Sequence, residues 1–421
     1  MVRAALPSHG NEGYRVGHYD LELDYKIGPN RLSARAKLAA FAPEPLSRFT
    51  LDLSGFKVAG VHVDGRAAKF SRSGTKLSVK PARPVHGEFT VEIRYSGNPK
   101  PVGGRWGDIG WDELTDGVLV ASQPIGAPSW FPCNDHPSDK ASYRVSVTTS
   151  SAYAVLVTGD LVSRRDGAST TNWVYERREP TATYLMSVQI GRYEDLAFPE
   201  SQRLAVPRSL VPAARYDFAR QPEMAALFSR LFGPYPFREY VVVVTEDELE
   251  DPVEAQGMAV FGSNHVDGKR GFERLVAHEL AHQWFGNSLT IADWRHIWLN
   301  EGFATYAEWL WSAESGGPST DALAAQWRKR VASLPEDLVL ADPGEANLFD
   351  ERVYKRGALA LHALRGLVGD AAFFAVLRSW AEEHRHGTVT TEEFLAHASA
   401  VAGQPLGDWF SAWLASPVLP G

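Results

Sequence analysis

At 421 residues, with 44% hydrophobic and 22% charged residues, the chain has ordinary globular composition and enough length for two or three domains. A net charge of -8 without a long basic run argues against nucleic acid or an anionic membrane as partner. No apolar run approaches the roughly 20 residues needed to span a bilayer, and the lone Cys133 forms no internal disulfide, so a cytoplasmic setting is expected. The first residues lack an apolar stretch of signal-peptide length. In chain order, Tyr19, Leu21, Leu23, Tyr25 and Ile27 alternate with polar residues. Phe89-Val91-Ile93-Tyr95 and Tyr143-Val145-Val147 repeat that period of two. Turn clusters Gly28-Pro29-Asn30 and Ser96-Gly97-Asn98-Pro99 separate such segments. Residues 1–205 are therefore expected to form an antiparallel β domain with half-buried sheets.

The period changes after Pro212, and residues 206–421 are expected to be mainly helical. Pro222 suits a helix first turn, Met224-Ala225-Ala226-Leu227-Phe228 follows in helical pattern, and Gly233-Pro234 stops it. Tyr240 to Val244 is an apolar strand candidate, and most of the chain beyond Phe272 reads as helix. Thr390 and Glu393 have capping-box spacing before Phe394-Leu395.

The stretch His278-Glu279-Leu280-Ala281-His282 carries the chemistry. On a helix, residues at i and i+4 share a face, so both imidazoles can reach one ion. Glu279 is rotated about 100° away and points at whatever else the metal holds. Two His ligands with an adjacent general-base Glu is the zinc-peptidase reading of HExxH; a surface helix with aligned histidines is the alternative, and a third ligand decides between them. Glu301, in Trp298-Leu299-Asn300-Glu301-Gly302-Phe303-Ala304, supplies it if a second helix returns antiparallel. That gives a His₂Glu site with one position open for water. The metzincin pattern fails, because Phe285 and Ser288 stand where it requires Gly and His. His265 and His296 read as outer-shell or surface residues, and Glu308 as a buttress for a ligand or a helix-surface carboxylate.

HELAHQWFGN followed by WLNEGFA resembles the signature of the aminopeptidase N family of zinc metallopeptidases, whose relatives include the leukotriene epoxide hydrolase. Trp130-Phe131-Pro132-Cys133-Asn134-Asp135-His136-Pro137 resembles the family's FPCxDxP segment, and Val353-Tyr354-Lys355-Arg356-Gly357 its Tyr-x-Lys-Gly element. The resemblance implies an α+β multidomain protein, an N-terminal antiparallel β domain followed by a thermolysin-like, mainly helical zinc-peptidase domain. It further implies one Zn²⁺ per chain on His278, His282 and Glu301, with Glu279 as general base and Tyr354 as donor to the tetrahedral oxyanion.

Glu254 corresponds to the glutamate of the family's GxMEN motif and would bind the substrate's free amino terminus; one more acid in an acidic loop is the competing reading. Asp251, Val253 and Ala255 replace the motif's Gly, Met and Asn. Gln123 falls where relatives carry a Glu or Gln that meets the same ammonium, while Pro128 and Ser129 stand where an arginine is usual. Substrate is expected to pair with an edge strand near Gly257-Met258-Ala259. The chain ends soon after Phe410-Ser411-Ala412-Trp413-Leu414, without the C-terminal helical domain of longer relatives, so a more open cleft is expected. The implied function is a zinc aminopeptidase acting on peptides with a free N-terminus; an endopeptidase, an epoxide hydrolase or a non-catalytic scaffold are the alternatives. The sequence is silent on side-chain preference and oligomeric state, and compatible with a monomer.

Overall fold

The computed structural model describes residues 5–6 and 8–420. The alternating segments become strands of one eight-stranded sheet. Its order is Asp160–Asp166, Thr170–Thr181, Ala141–Ser150, Arg15–Lys26, Arg31–Leu46, Val85–Gly97, Lys57–Val63 and Arg66–Ala67. Along Arg15–Lys26 the residues Tyr19, Leu21, Leu23 and Tyr25 are buried while their neighbours face outward, as a period of two requires. They meet Phe89, Val91, Ile93, Trp111, Trp130 and Phe131 in one core. The sheet is not wholly antiparallel. Arg15–Lys26 runs parallel to Ala141–Ser150, with Leu21 opposite Val145, because the long chain between them lets the later strand enter in the same sense.

The second part centres on a five-stranded mixed sheet in the order Tyr193–Phe198, Gln202–Pro207, Tyr240–Val244, Met258–Phe261 and Val253–Ala255. Position 205 lies within the second of these strands, and Leu204 and Val206 pack into the core of the helical part. Tyr240–Val244 is buried along its whole length between two parallel neighbours, which explains its unbroken apolar run. The Gln221–Phe232 helix has Pro222 in its first turn and ends at Gly233, whose φ of 101 favours glycine. Thr390 and Glu393 form a reciprocal capping box on the Thr391–Ala402 helix. Among the described residues no helix is long and apolar enough to cross a membrane.

Two helices, Trp298–Glu314 and Glu351–Val368, cross at a pair of glycines. A Cβ on Gly302 would stand 2.9 Å from the Cα of Gly357, and one on Gly357 would stand 2.7 Å from the Cα of Gly302. Only hydrogens permit that approach. It brings the turn bearing Glu301 against the turn bearing Tyr354.

Candidate metal centre

The Glu273–Ala281 helix ends at His282, which keeps helical dihedrals (φ -55, ψ -24) and donates its N–H to the His278 carbonyl at 3.2 Å. Both imidazoles therefore stay on one face. The antiparallel return predicted for Glu301 is present in the first turn of the Trp298–Glu314 helix. Glu301 Oε2 lies 3.4 Å from His278 Nε2 and 3.4 Å from His282 Nε2, with all three side chains buried.

The orientation of each ring is fixed from behind. His278 Nδ1 is 2.8 Å from Glu308 Oε1, and His282 Nδ1 is 3.1 Å from the Phe285 carbonyl. Both Nδ1 atoms thus face acceptors on the outside and both Nε2 atoms converge on Glu301, the orientation of carboxylate- and carbonyl-backed metal ligands. Glu308 is buried and held in turn by Lys355 Nζ at 3.8 Å and Arg274 at 3.6 Å, so it acts as a buttress rather than a surface acid.

Electrostatics among the protein groups show the same convergence. Burial opposes the charged form of His278, yet hydrogen bonds to Glu301 and Glu308 raise its pKa to about 9. Burial likewise opposes charge on His282, but Glu254 and Glu301 raise it to about 10. Glu301, against its own burial, is lowered to about 2 by the two imidazoles. One carboxylate oxygen thus attracts positive charge at two nitrogens. Glu279 behaves oppositely: burial raises it to about 8, and its Oε2 has no hydrogen-bond partner.

A divalent ion fits this donor set. Zinc binds His nitrogen and carboxylate oxygen at about 2.0–2.2 Å in tetrahedral sites, which separates neighbouring donors by about 3.3–3.5 Å. The two observed separations of 3.4 Å meet that requirement. The orphaned oxygen of Glu279 marks where a polar group is expected beside the ion.

Glu254 sits on the strand Val253–Ala255, buried, and its Oε1 accepts a 2.7 Å hydrogen bond from Gln123 Nε2. Donor atoms of Glu254, Glu279 and His282 gather within 4.8 Å of one another. Glu254 is not one more acid of a solvated loop, and burial raises its pKa. Tyr354 stacks on His278 with ring centroids 6.0 Å apart, and burial first, then Glu301, Glu254 and Glu279, push its phenol well above the usual value. Tyr306, the other phenol near Glu301 in sequence, turns away toward His362 and Arg365, each at 3.4 Å.

One expectation is corrected. Gly257, Met258 and Ala259 do not offer a free strand edge. Met258 and Ala259 pair with Val241 and Val242 on one side and with Ala255 and Glu254 on the other. The Gly257 N–H is taken by Gln283 Oε1 at 2.8 Å and its carbonyl by the Val241 N–H. The sheet edge is Val253–Ala255 instead, and the apolar run Met258–Phe261 is buried because it is an interior strand. His265 and His296 stay out of the centre, bonded to the Gly262 N–H and to Thr391 Oγ1.

The motif reading passed over Gln283 and Asn287. Gln283 Nε2 donates to the carbonyls of Ala255 (3.2 Å) and Met258 (3.3 Å), and Asn287 Nδ2 to that of Ala255 (2.9 Å). These two amides rivet the hairpin bearing Glu254 to the segment bearing His282. Their signal was in plain view, as uncharged polar residues inside the otherwise aromatic QWFGN run.

Fold and site define a metallopeptidase centre of the HExxH type with a distant third ligand. The chain matches the Peptidase M1 N-terminal domain over residues 16–185 and the Peptidase family M1 domain over residues 218–413. The structure is similar to that of an M1 zinc metallopeptidase from Deinococcus radiodurans (TM-score 0.90) at 32% identity, covering 100% of this chain and 99% of that one. A leucyl aminopeptidase of Saccharolobus solfataricus is 23% identical over 96% of this chain and 54% of its own length. Aminopeptidase M1-D of Oryza sativa subsp. japonica is 25% identical over 72% and 37% respectively, so this chain spans a third to a half of such relatives. Yeast LTA4 hydrolase shares the fold at TM-score 0.82 and 22% identity. The chain belongs to peptidase family M1, the M1 zinc metallopeptidases.

Proposed function

We propose that the protein is an aminopeptidase that removes single residues from the free amino terminus of peptides. The observation that carries this reading is the buried Glu254 carboxylate, paired with Gln123, whose oxygen lies within 4.8 Å of the donor atoms of Glu279 and His282. An ammonium held there has room for one residue before the scissile carbonyl reaches the centre. Glu254 supplies the charge, and Gln123 orients it through the 2.7 Å hydrogen bond. One neighbouring structure, a mutant of the Deinococcus radiodurans M1 zinc metallopeptidase, holds a Tyr-Ser-Ala substrate, which supports a peptide as the ligand class.

We assign His278, His282 and Glu301 as the residues that hold zinc. When bound, the ion supplies a Lewis acid and a water of lowered pKa. With a divalent ion on the three ligands opposing the burial that raises its carboxyl, Glu279 has a free Oε2 to accept a proton from the attacking water and return it to the leaving amine. The Tyr354 phenol, kept protonated by burial and its carboxylate neighbours, donates to the oxyanion. The edge strand Val253–Ala255, its Ala255 carbonyl already taken by Gln283 and Asn287, is the strand beside which a substrate backbone would lie, independent of side-chain identity. A cytoplasmic setting is part of the same proposal, supported by the buried thiol of Cys133; cell fractionation with an antibody tests it.

Hydrolysis of an aminoacyl anilide and of its N-acetyl form tests the reading. Activity on the first alone is expected, and Glu254→Ala should weaken transition-state binding of the free form by roughly 2–5 kcal/mol. Comparable cleavage of the acetylated form would point to an endopeptidase.

A further inference from the structure

Outside the centre described above, a second set of metal-type donors converges at the far end of the helical part. Glu383 closes the Asp370–Glu383 helix, His384 is its C-cap, and His397 lies on the following Thr391–Ala402 helix. One donor atom from each falls within 4.8 Å of the others.

The hydrogen bonds around His397 fix which nitrogen faces the group. Nε2 lies 2.9 Å from Ser379 Oγ and 3.2 Å from the Val376 carbonyl. Ser379 Oγ has carbonyls of Ala375 at 2.8 Å and Val376 at 3.3 Å to donate to, and the Val376 carbonyl beside Nε2 can only accept, so Nε2 carries a hydrogen. His397 Nδ1 faces Glu383 Oε2 at 3.4 Å. An imidazole nitrogen and a carboxylate oxygen at that distance can share one metal ion. The His397 side chain is 8% exposed, while Glu383, at 62%, reaches it from the solvent side. The separation equals that between Glu301 and each ligand imidazole of the first centre. A backbone carbonyl behind the ring is also the usual support of a metal-ligating histidine.

His384 completes the set. Its ring lies against Trp380 with centroids 4.1 Å apart and 6.2 Å from the ring of His397. Burial lowers its pKa, opposed by Glu393 and Glu383 and aided slightly by His397. Glu393 is committed to the capping box and faces Thr390 instead.

We propose that Glu383, His384 and His397 form a second divalent metal site, suited to zinc, nickel or copper, distinct from the catalytic centre. Two imidazoles and a carboxylate select first-row transition ions over calcium or magnesium, and waters complete the coordination. A bound ion ties the end of one helix to the middle of the next. The N-terminus of that second helix is itself fastened to the catalytic part, where Thr391 Oγ1 receives the Trp298 indole N–H at 2.9 Å, at the head of the helix carrying Glu301. The site is thus placed to stiffen the support of the catalytic centre, whatever reaction that centre performs.

Calorimetric titration of the zinc-loaded protein with further Zn²⁺ tests the proposal, with elemental analysis after gel filtration. One additional equivalent is expected in the parent, together with a rise in Tm on adding zinc. Both should vanish in His384→Gln/His397→Gln while circular dichroism stays that of the parent. If that double variant does not fold, the exposed Glu383→Gln serves in its place and should weaken the additional binding at least tenfold. No additional equivalent in the parent would overturn the site and leave a proton as the cation between His397 and Glu383. Undiminished uptake by the variants would overturn it equally, placing the ion elsewhere.

Discussion

Among the described residues, each half of the molecule holds a cluster of buried charged side chains, the first tied almost throughout and the second left open on its inner side. In the β-rich half, Asp52 accepts from Lys76, from Asn11 Nδ2 at 2.8 Å and from the Asp135 N–H at 3.2 Å. Asp139 accepts from Asn134 Nδ2 at 2.6 Å and from the Val16 N–H at 3.2 Å, and Asp135 from Thr183 Oγ1 at 2.7 Å, its other oxygen having no hydrogen bond and facing His9 Nδ1 at 3.4 Å. These bonds staple the entry of the first long strand to the Cys133-Asn134-Asp135 segment. In the helical half the outward nitrogens and Glu308 are equally well tied, but the inward atoms are not: Glu279 Oε2 has no partner, and carboxylates crowd around Glu254 and Tyr354. A buried polar group that is satisfied holds a fold together; one left waiting within a satisfied frame is held ready for something that is not part of the chain.

Substitutions sharpen that contrast when ranked by their expected effect on turnover. The largest loss is expected from Glu301→Ala, which removes the carboxylate shared by both imidazoles: zinc content and hydrolysis should both fall to background, as they should with a chelator. Glu279→Gln should keep stoichiometric zinc yet lose about 10²–10⁴-fold in turnover, the range of general acid–base catalysis. Zinc missing from that variant by elemental analysis would make Glu279 part of the frame.

Tyr354→Phe should lower kcat and kcat/KM together by about 10²–10³, since a donor to the oxyanion acts only in the transition state. Tyr306→Phe, altering a phenol that faces His362 and Arg365, should leave both constants near parental. Retention of more than about a tenth of kcat by Tyr354→Phe, far above the expected loss, would reduce Tyr354 to packing.

Glu308→Gln probes the frame itself. Removing the charge behind His278 should weaken zinc about 10–100-fold, read by competition with a chelator, with little change in kcat once zinc is saturating.

The smallest effect on catalysis is expected from the cluster in the β-rich half, where Asp52→Ala should cost about 1–3 kcal/mol of stability and leave kcat unchanged. Asp139 adds a pH signature. Burial, partly offset by the Asn134 and Val16 hydrogen bonds, raises its pKa from 3.8 to about 6. Between those values the folded state binds more protons than the unfolded one, so stability falls as pH rises through about 4 to 6. Asp139→Asn should flatten that slope in denaturant titrations. An unchanged slope would show that Asp139 does not carry it.

The sequence by itself determined the elements and the donor set. A period of two marks the strands because one sheet face is buried; the i, i+4 spacing puts His278 and His282 on one helix face whatever surrounds them; Pro222, Gly233 and the Thr390–Glu393 box mark helix ends through local backbone chemistry. Even Glu301 was legible, since a helix returning antiparallel after the connection brings its first turn back to the imidazoles.

What only the tertiary structure decided are the relations between segments distant in the chain. The parallel pairing of Arg15–Lys26 with Ala141–Ser150, the interior place of Met258-Ala259 and the outer place of Val253–Ala255 depend on which strand docks where, and the alternation of side chains is the same in either case. The contact of Gly302 with Gly357, the turning away of Tyr306 and the fastening of Gln283 to the hairpin follow from packing too. Periodicity records which face of an element is buried; it carries no record of the partner that buries it, and the partner fixes which polar atoms are satisfied and which are left facing the metal.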